Sequence, residues 1–224
     1  MRDALEALYV SPLAGGKPNC LVVLCHGIHA DGRQLSQLVE IWGSDLPEAA
    51  FSLPNAPWRR RRHWLGRFLS KRREWFSVHD QSPAAYEAGV RAAAGLLDHL
   101  IDMELKRLSL APDAYALAGY SQGAMTVLFA GLRRTVAPRA IVGIAGALIA
   151  PDTLAAEVRN KAPVMLLHGT DDTVVPLSSS RRAAQILTEN GVPVEAMYQP
   201  RLGHDIGDVQ IRESALFMKR ALSK

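Results

Sequence analysis

Gly119-Tyr120-Ser121-Gln122-Gly123 places a serine at the centre of a G-x-S-x-G turn, after the apolar run Tyr115 to Ala118 and before Ala124 to Ala130. Small residues at both ends let a strand turn sharply into a helix, lifting the serine hydroxyl clear of the sheet. A serine hydroxyl is a weak nucleophile at neutral pH. It needs a base within hydrogen-bond reach, and that base needs a carboxylate to orient it. Downstream, His168-Gly169-Thr170-Asp171-Asp172-Thr173-Val174-Val175-Pro176 offers two acids. Asp171 and Asp172 are both candidates, with Asp172 favoured because Val-Pro follows it at the usual spacing. Leu202-Gly203-His204-Asp205 then supplies His204 as the base. Serine, acid, histidine is the chain order this turn demands. The chemistry implied is attack on an acyl carbonyl through a covalent intermediate, with activity rising with pH as His204 loses its proton.

A tetrahedral intermediate needs backbone N–H donors for its oxyanion. Gln122, immediately after the serine, provides one; Ile28, in the loop His26 to Gly32, is the expected second. His168, beside Gly169 at a strand end, reads as a structural, hydrogen-bonded side chain. His63, His79 and His99 read as exposed. No metal or other cofactor is expected, since the histidines lack zinc-site spacing and no phosphate-cradling glycine loop is present.

The elements that must position these groups alternate. Leu5 to Val10 reads as an edge strand, and Cys20 to Cys25 as a strand covered on both faces. Leu35, Leu38, Val39 and Trp42 mark one helix face. Ala49 to Leu53 is a short strand, and Pro83 opens a long helix to about Leu108. After the elbow come strands at Ala140 to Ala145, Val164 to Leu167 and Val192 to Tyr198, and helices at Leu177 to Glu189 and Gly207 to Leu222. This predicts an α/β fold, a mostly parallel central sheet with helices on both faces. At 224 residues the chain fits a single domain, 1–224. Cys20 and Cys25 are too far apart on one extended strand to bridge. With no signal peptide and no membrane-length apolar run, a reduced, cytoplasmic protein is expected.

Taken together, these stretches resemble the carboxylesterase/phospholipase family of α/β-hydrolases, which includes acyl-protein thioesterases and small bacterial carboxylesterases. The resemblance rests on Leu24-Cys25-His26-Gly27, Leu53-Pro54-Asn55-Ala56-Pro57, Arg73-Glu74-Trp75-Phe76, Ala118 to Ala124, His168 to Pro176 and Gly203-His204. It implies an α/β-hydrolase fold and hydrolysis of small acyl esters or thioesters. It also implies roles for Ser121, Asp172, His204, Ile28 and Gln122. His29 and Trp75 are the candidates for substrate contact. Three departures stand out, one of them the basic insertion considered below, which has no counterpart in the family and so leaves the substrate range open. The family usually has glycine where His29 stands, so a side chain there narrows the acyl site or adds a polar group at its rim. It often has an acid where Ser77 stands.

Charge is concentrated. The chain is net +4, but eight of its 26 Lys and Arg fall within residues 59–73 with no acid among them, so the remainder is net acidic. Trp64, Leu65, Phe68 and Leu69 recur there at helical spacing. An insertion at about 58–79 therefore reads as a surface loop or as an amphipathic lid, with Arg59–Arg73 attracting an anionic substrate or lipid surface. Nucleic acid is the weaker alternative. Two rival functions follow: a catalytically idle binding module for an anionic partner, and an amide or peptide hydrolase. The sequence leaves monomer and homodimer open.

Overall fold

The apolar run Cys20–Cys25 is buried along its whole length, because both faces of the strand it forms are covered. Leu21, Val23 and Cys25 enter one hydrophobic core. Cys20, Val22 and Leu24 enter another on the opposite face. This alternation is the period-2 geometry of a strand acting on a sequence with no polar positions. It also sends the two cysteine side chains to opposite faces, and both are free thiols.

The computed structural model describes residues 5–59 and 72–223. In chain order the elements are β1 (Ala7–Val10), β2 (Cys20–Cys25), a 3₁₀ turn (Gly32–Leu35), α1 (Ser36–Asp45), β3 (Ala49–Pro54), β4 (Trp58–Arg59), β5 (Arg73–Glu74), α2 (Pro83–Leu108), β6 (Tyr115–Tyr120), α3 (Gln122–Arg133), β7 (Ile141–Ile144), α4 (Pro151–Glu157), β8 (Val164–Gly169), α5 (Leu177–Glu189), β9 (Val194–Gln199) and α6 (Asp208–Leu222). The main sheet runs β1-β3-β2-β6-β7-β8-β9. All neighbours pair in parallel except edge strand β1, which pairs antiparallel with β3. Helices α2, α3 and α5 cover one face, and α1 and α6 the other. This is the expected α/β architecture.

Helix boundaries follow local chemistry. Ser82 caps α2 by accepting the Ala85 N–H, and Pro83 sits in the first turn. Lys106 and Arg107 lie at its C-terminal end, where cations are favoured. The sequence reading omitted α4, although Pro151 and Asp152 in its first turn are recognisable start signals.

Strand order sets the position of the site. From β2 the chain moves outward to β3, then returns to place β6 on the other side of β2. The loops leaving β2 and β6 therefore flank a topological switch point, where open α/β sheets bind ligands. The turn after β6 is tight enough to require its glycines. A Cβ on Gly123 would lie 2.0 Å from the Cys25 carbonyl oxygen, and one on Gly119 would lie 2.4 Å from Gly123. Backbone cannot yield there as a side chain can. Gly123→Ala should therefore cost more than about 3 kcal/mol, the upper range of overpacking. A chemical denaturation curve checks this; a midpoint equal to wild type would show that the turn has slack.

The region read as an insertion has an ordered base. Trp58 pairs with Glu74 and Arg59 with Arg73, so β4 and β5 form a two-residue antiparallel stem. The expected helix through Trp64, Leu65, Phe68 and Leu69, and the lid built on it, lie outside the described residues. One part of the basic patch is corrected. Arg73 is buried, and its guanidinium donates to the Ala56 carbonyl at 3.1 Å and to Glu6 at 2.7 Å. It ties β5 to the core and presents no surface charge. His79 and His99 are exposed, as expected. No helix among the described residues is long and apolar enough to cross a membrane.

Candidate active site

Ser121 occupies the sharp turn between β6 and α3 with φ 54° and ψ −117°. A non-glycine residue there is sterically strained, so the surrounding structure must hold it. Its N–H donates to the Ile144 carbonyl on β7, and its own carbonyl accepts from Met125 in α3. The side chain is left to face the loops that follow β8 and β9.

Those loops bring the expected partners. Ser121 Oγ lies 3.0 Å from His204 Nε2, and His204 Nδ1 lies 2.7 Å from Asp172 Oδ2. The structure thus brings together Ser121, His204 and Asp172. Asp171 is exposed and accepts from the Thr170 hydroxyl at 2.7 Å, so the adjacent acid is turned away. Asp172 Oδ1 accepts the N–H groups of Val174 and Val175 at 2.8 and 2.9 Å. Burial works to raise the Asp172 pKa, but the hydrogen bonds from His204, Val175 and Val174 prevail and hold it below the ordinary carboxylate value. The carboxylate therefore stays ionised beside the imidazole.

Tyr120, the variable position of the elbow, is not idle. Its hydroxyl donates to the His204 carbonyl at 2.8 Å, and its ring lies 5.1 Å from the imidazole, centroid to centroid. Burial, then the nearby Asp205 and Asp172, push its pKa to about 12, so the donor keeps its proton. Sequence reading missed this role, because the pattern tolerates any residue there.

The expected oxyanion donors sit in complementary settings. Gln122 is the first residue of α3, where a backbone N–H has no intrahelical acceptor and the helix dipole favours negative charge. Ile28 is half-buried, and its N–H donates to no acceptor among the described residues. The neighbouring His29 N–H is already committed to the Arg73 carbonyl at 2.7 Å. His29 itself is exposed with φ 67°, a left-handed conformation that glycine adopts without strain.

Gln122 does a second thing with its side chain. Its Oε1 accepts the Trp75 N–H at 2.8 Å, and its Nε2 donates to the Phe76 carbonyl at 2.7 Å. Trp75, a candidate for substrate contact, is instead fully buried, with Nε1 donating to the His26 carbonyl at 2.8 Å. It supports the loop from beneath and does not line the site.

His26 completes that support. It is fully buried, with Nδ1 2.6 Å from the Gly27 carbonyl and Nε2 accepting the Ala56 N–H at 2.9 Å. Burial is the largest influence on it and lowers its pKa. An unfolded histidine takes a proton near pH 6.5, whereas this one resists it. The unfolded chain then binds more protons, so stability is lost as pH falls below about 6.5. We predict a melting temperature that drops between pH 6.5 and 5 in wild type and drops less in His26→Asn. Equal slopes would assign the acid sensitivity elsewhere. Among the described residues, no group of three or more His, Cys, Asp or Glu could hold a metal ion.

With this geometry in place, comparison with known proteins is informative. The sequence model described as Phospholipase/Carboxylesterase matches residues 13–222. Acyl-protein thioesterase 1 of Schizosaccharomyces pombe is 30% identical over 199 residues, covering 85% of this chain and 84% of that protein. Carboxylesterase SOBER1 of Arabidopsis thaliana is 27% identical over 215 residues, covering 90% of each. The crystal structure of esterase PE8 superposes with a TM-score of 0.89 at 31% identity, covering 98% of this chain and 100% of that one. The chain belongs to the phospholipase/carboxylesterase family of α/β-hydrolases and is a hydrolase of ester or thioester bonds.

Proposed function

We propose that this enzyme hydrolyses small acyl esters or thioesters through an acyl-enzyme on Ser121, in a reducing cytoplasm where its two free thiols are stable. The observation that carries the reading is the relay from Ser121 Oγ through His204 to Asp172, at 3.0 and 2.7 Å. His204 Nε2 takes the hydroxyl proton as Oγ attacks the acyl carbon. The oxyanion so formed is held by the N–H groups of Gln122 and Ile28. Each such donor is typically worth about 3–4 kcal/mol of barrier. His204 then gives its proton to the departing alcohol or thiol, and the acyl group stays on Oγ. Water attacks that ester, loses its proton to His204, and Ser121 recovers its own as the carboxylic acid leaves. Asp172 stays ionised throughout and steadies the imidazolium.

The test is a matched series of p-nitrophenyl esters, acetate through decanoate, with acyl thioesters and anilides of the same acids. Turnover of esters or thioesters with slow anilides is the expected result, and the chain-length optimum sizes the acyl pocket. A fluorophosphonate should label Ser121 stoichiometrically, read by mass spectrometry of the tryptic peptide. Faster anilide than ester hydrolysis would favour an amidase. Folded protein that neither turns over nor takes the label would favour the idle binding module.

A further inference from the structure

His168 ends β8 beside the proposed acid, and its ring is completely buried. Nε2 lies 2.8 Å from the Val175 carbonyl oxygen and 3.1 Å from Asp172 Oδ2. The carbonyl can only accept, so Nε2 carries the ring proton. Nδ1 is buried with no hydrogen-bond partner, a setting suited to a bare nitrogen and hostile to an N–H. That N–H is given to the Val175 carbonyl, and the same nitrogen stands 3.1 Å from the carboxylate oxygen that His204 also uses.

Four nitrogens surround the carboxylate. Val174 and Val175 N–H hold Oδ1; His204 Nδ1 is hydrogen-bonded to Oδ2, and His168 Nε2 lies 3.1 Å from that oxygen. The carboxylate is planar, so a turn about its Cβ–Cγ bond moves both oxygens at once. The backbone pair opposes such a turn at Oδ1, and the buried His168 ring, packed 3.1 Å from Oδ2, opposes it at the other end. Its bond to the Val175 carbonyl also ties the far end of the loop to the strand on which His168 sits.

We propose that His168 is a positioning residue for the hydrolytic reaction, its Nε2–H holding the Val175 carbonyl and its ring packed against Asp172 Oδ2, so that the loop presents that oxygen to His204 Nδ1. This rests on the reading of Ser121, His204 and Asp172 given above. The titratable groups in this network are Asp172 beside His168, His204 hydrogen-bonded to Asp172, and Tyr120 against the His204 ring, with Asp205 and Asp172 both acting on the Tyr120 hydroxyl. His168 acts through Asp172 and its loop, and it meets no substrate.

The test compares His168→Leu, which removes the donor at similar volume, with His168→Gln, whose amide nitrogen reaches about as far as Nε2. On the best p-nitrophenyl ester, His168→Leu should lose about 10- to 100-fold in kcat, the size of effect expected from a misaligned base, with KM within about twofold. His168→Gln should recover most of that loss. With the polar Nε2–H gone from beside Oδ2, the carboxylate holds the imidazolium more strongly, so the acid limb of the kcat profile should move to higher pH in His168→Leu. Equal kcat in both variants and wild type, or equal losses in both with an unmoved pH profile, would reduce His168 to a structural side chain. If His168→Leu fails to fold, His168→Asn replaces it, because its amide is too short to reach Asp172; activity equal to His168→Gln would then overturn the proposal. Asp172→Asn serves as the control. If Asp172→Asn is also fully active, the reading of the acid has failed; if only His168→Leu is active, this proposal alone has failed.

Discussion

Ser121→Ala should lower kcat by about 10⁵-fold or more, the scale on which removing a serine nucleophile acts elsewhere, while leaving the melting temperature nearly unchanged. The substitution removes one oxygen, whose bond in the resting protein is the 3.0 Å contact to His204. Such a bond contributes about 1 kcal/mol to stability. Alanine carries the same Cβ, so the strain at φ 54° and ψ −117° persists unaltered. Substrate binding should survive, because the proposed oxyanion donors are backbone groups that the change does not touch. Ser121→Gly separates the two effects. It should be equally inactive but more stable by about 1–2 kcal/mol, as the left-handed penalty disappears with the Cβ. A purified Ser121→Ala protein keeping more than about one part in a hundred of the wild-type rate would remove Ser121 as nucleophile.

Asp172→Asn should cost about 10⁴-fold in kcat, comparable to the same change in other serine triads. The reason lies in counting protons. Asp172 accepts three N–H groups, those of Val174 and Val175 on Oδ1 and of His204 on Oδ2. An amide has one acceptor oxygen and one donor nitrogen, so it cannot satisfy both sides. With its oxygen toward Val174 and Val175, its NH₂ confronts the protonated Nδ1 of His204. His204 must then shift its proton to Nε2, and in that tautomer it cannot accept from Ser121. Turning the amide over sets the NH₂ against two backbone N–H groups instead. Melting temperature should therefore fall along with activity, unlike in Ser121→Ala. A kcat within tenfold of wild type would show that His204 is oriented by something else.

Much of this arrangement is written in short range. The alternation of strands and helices, the elbow and the order of serine, acid and histidine are local patterns, and local patterns survive the loss of three-dimensional context. The choice between Asp171 and Asp172 was only half legible. Both sit in one loop, and the difference is which carboxylate turns inward to His204, 32 residues away. Other features depend on partners far along the chain. Arg73 reads as one more base in a basic run, yet it is buried because Glu6 and Ala56 meet it. Trp75 reads as a surface for substrate, yet its two N–H groups are consumed by Gln122 and His26. His168 reads as structural, which its burial supports, but its contact with Asp172 requires the loop to close on itself. The β4–β5 stem is two residues long and carries no periodicity to detect.

That stem has an evolutionary corollary. Its two strands begin and end side by side, and the Gln122 amide clasps the backbone directly after it. Whatever sequence joins Arg59 to Arg73 thus enters and leaves through a fixed doorway. Changing the number of residues between those two strands alters the closure entropy only slowly. Insertions and deletions there can therefore accumulate while the paired strands and the Gln122 clasp keep the geometry beneath them unchanged.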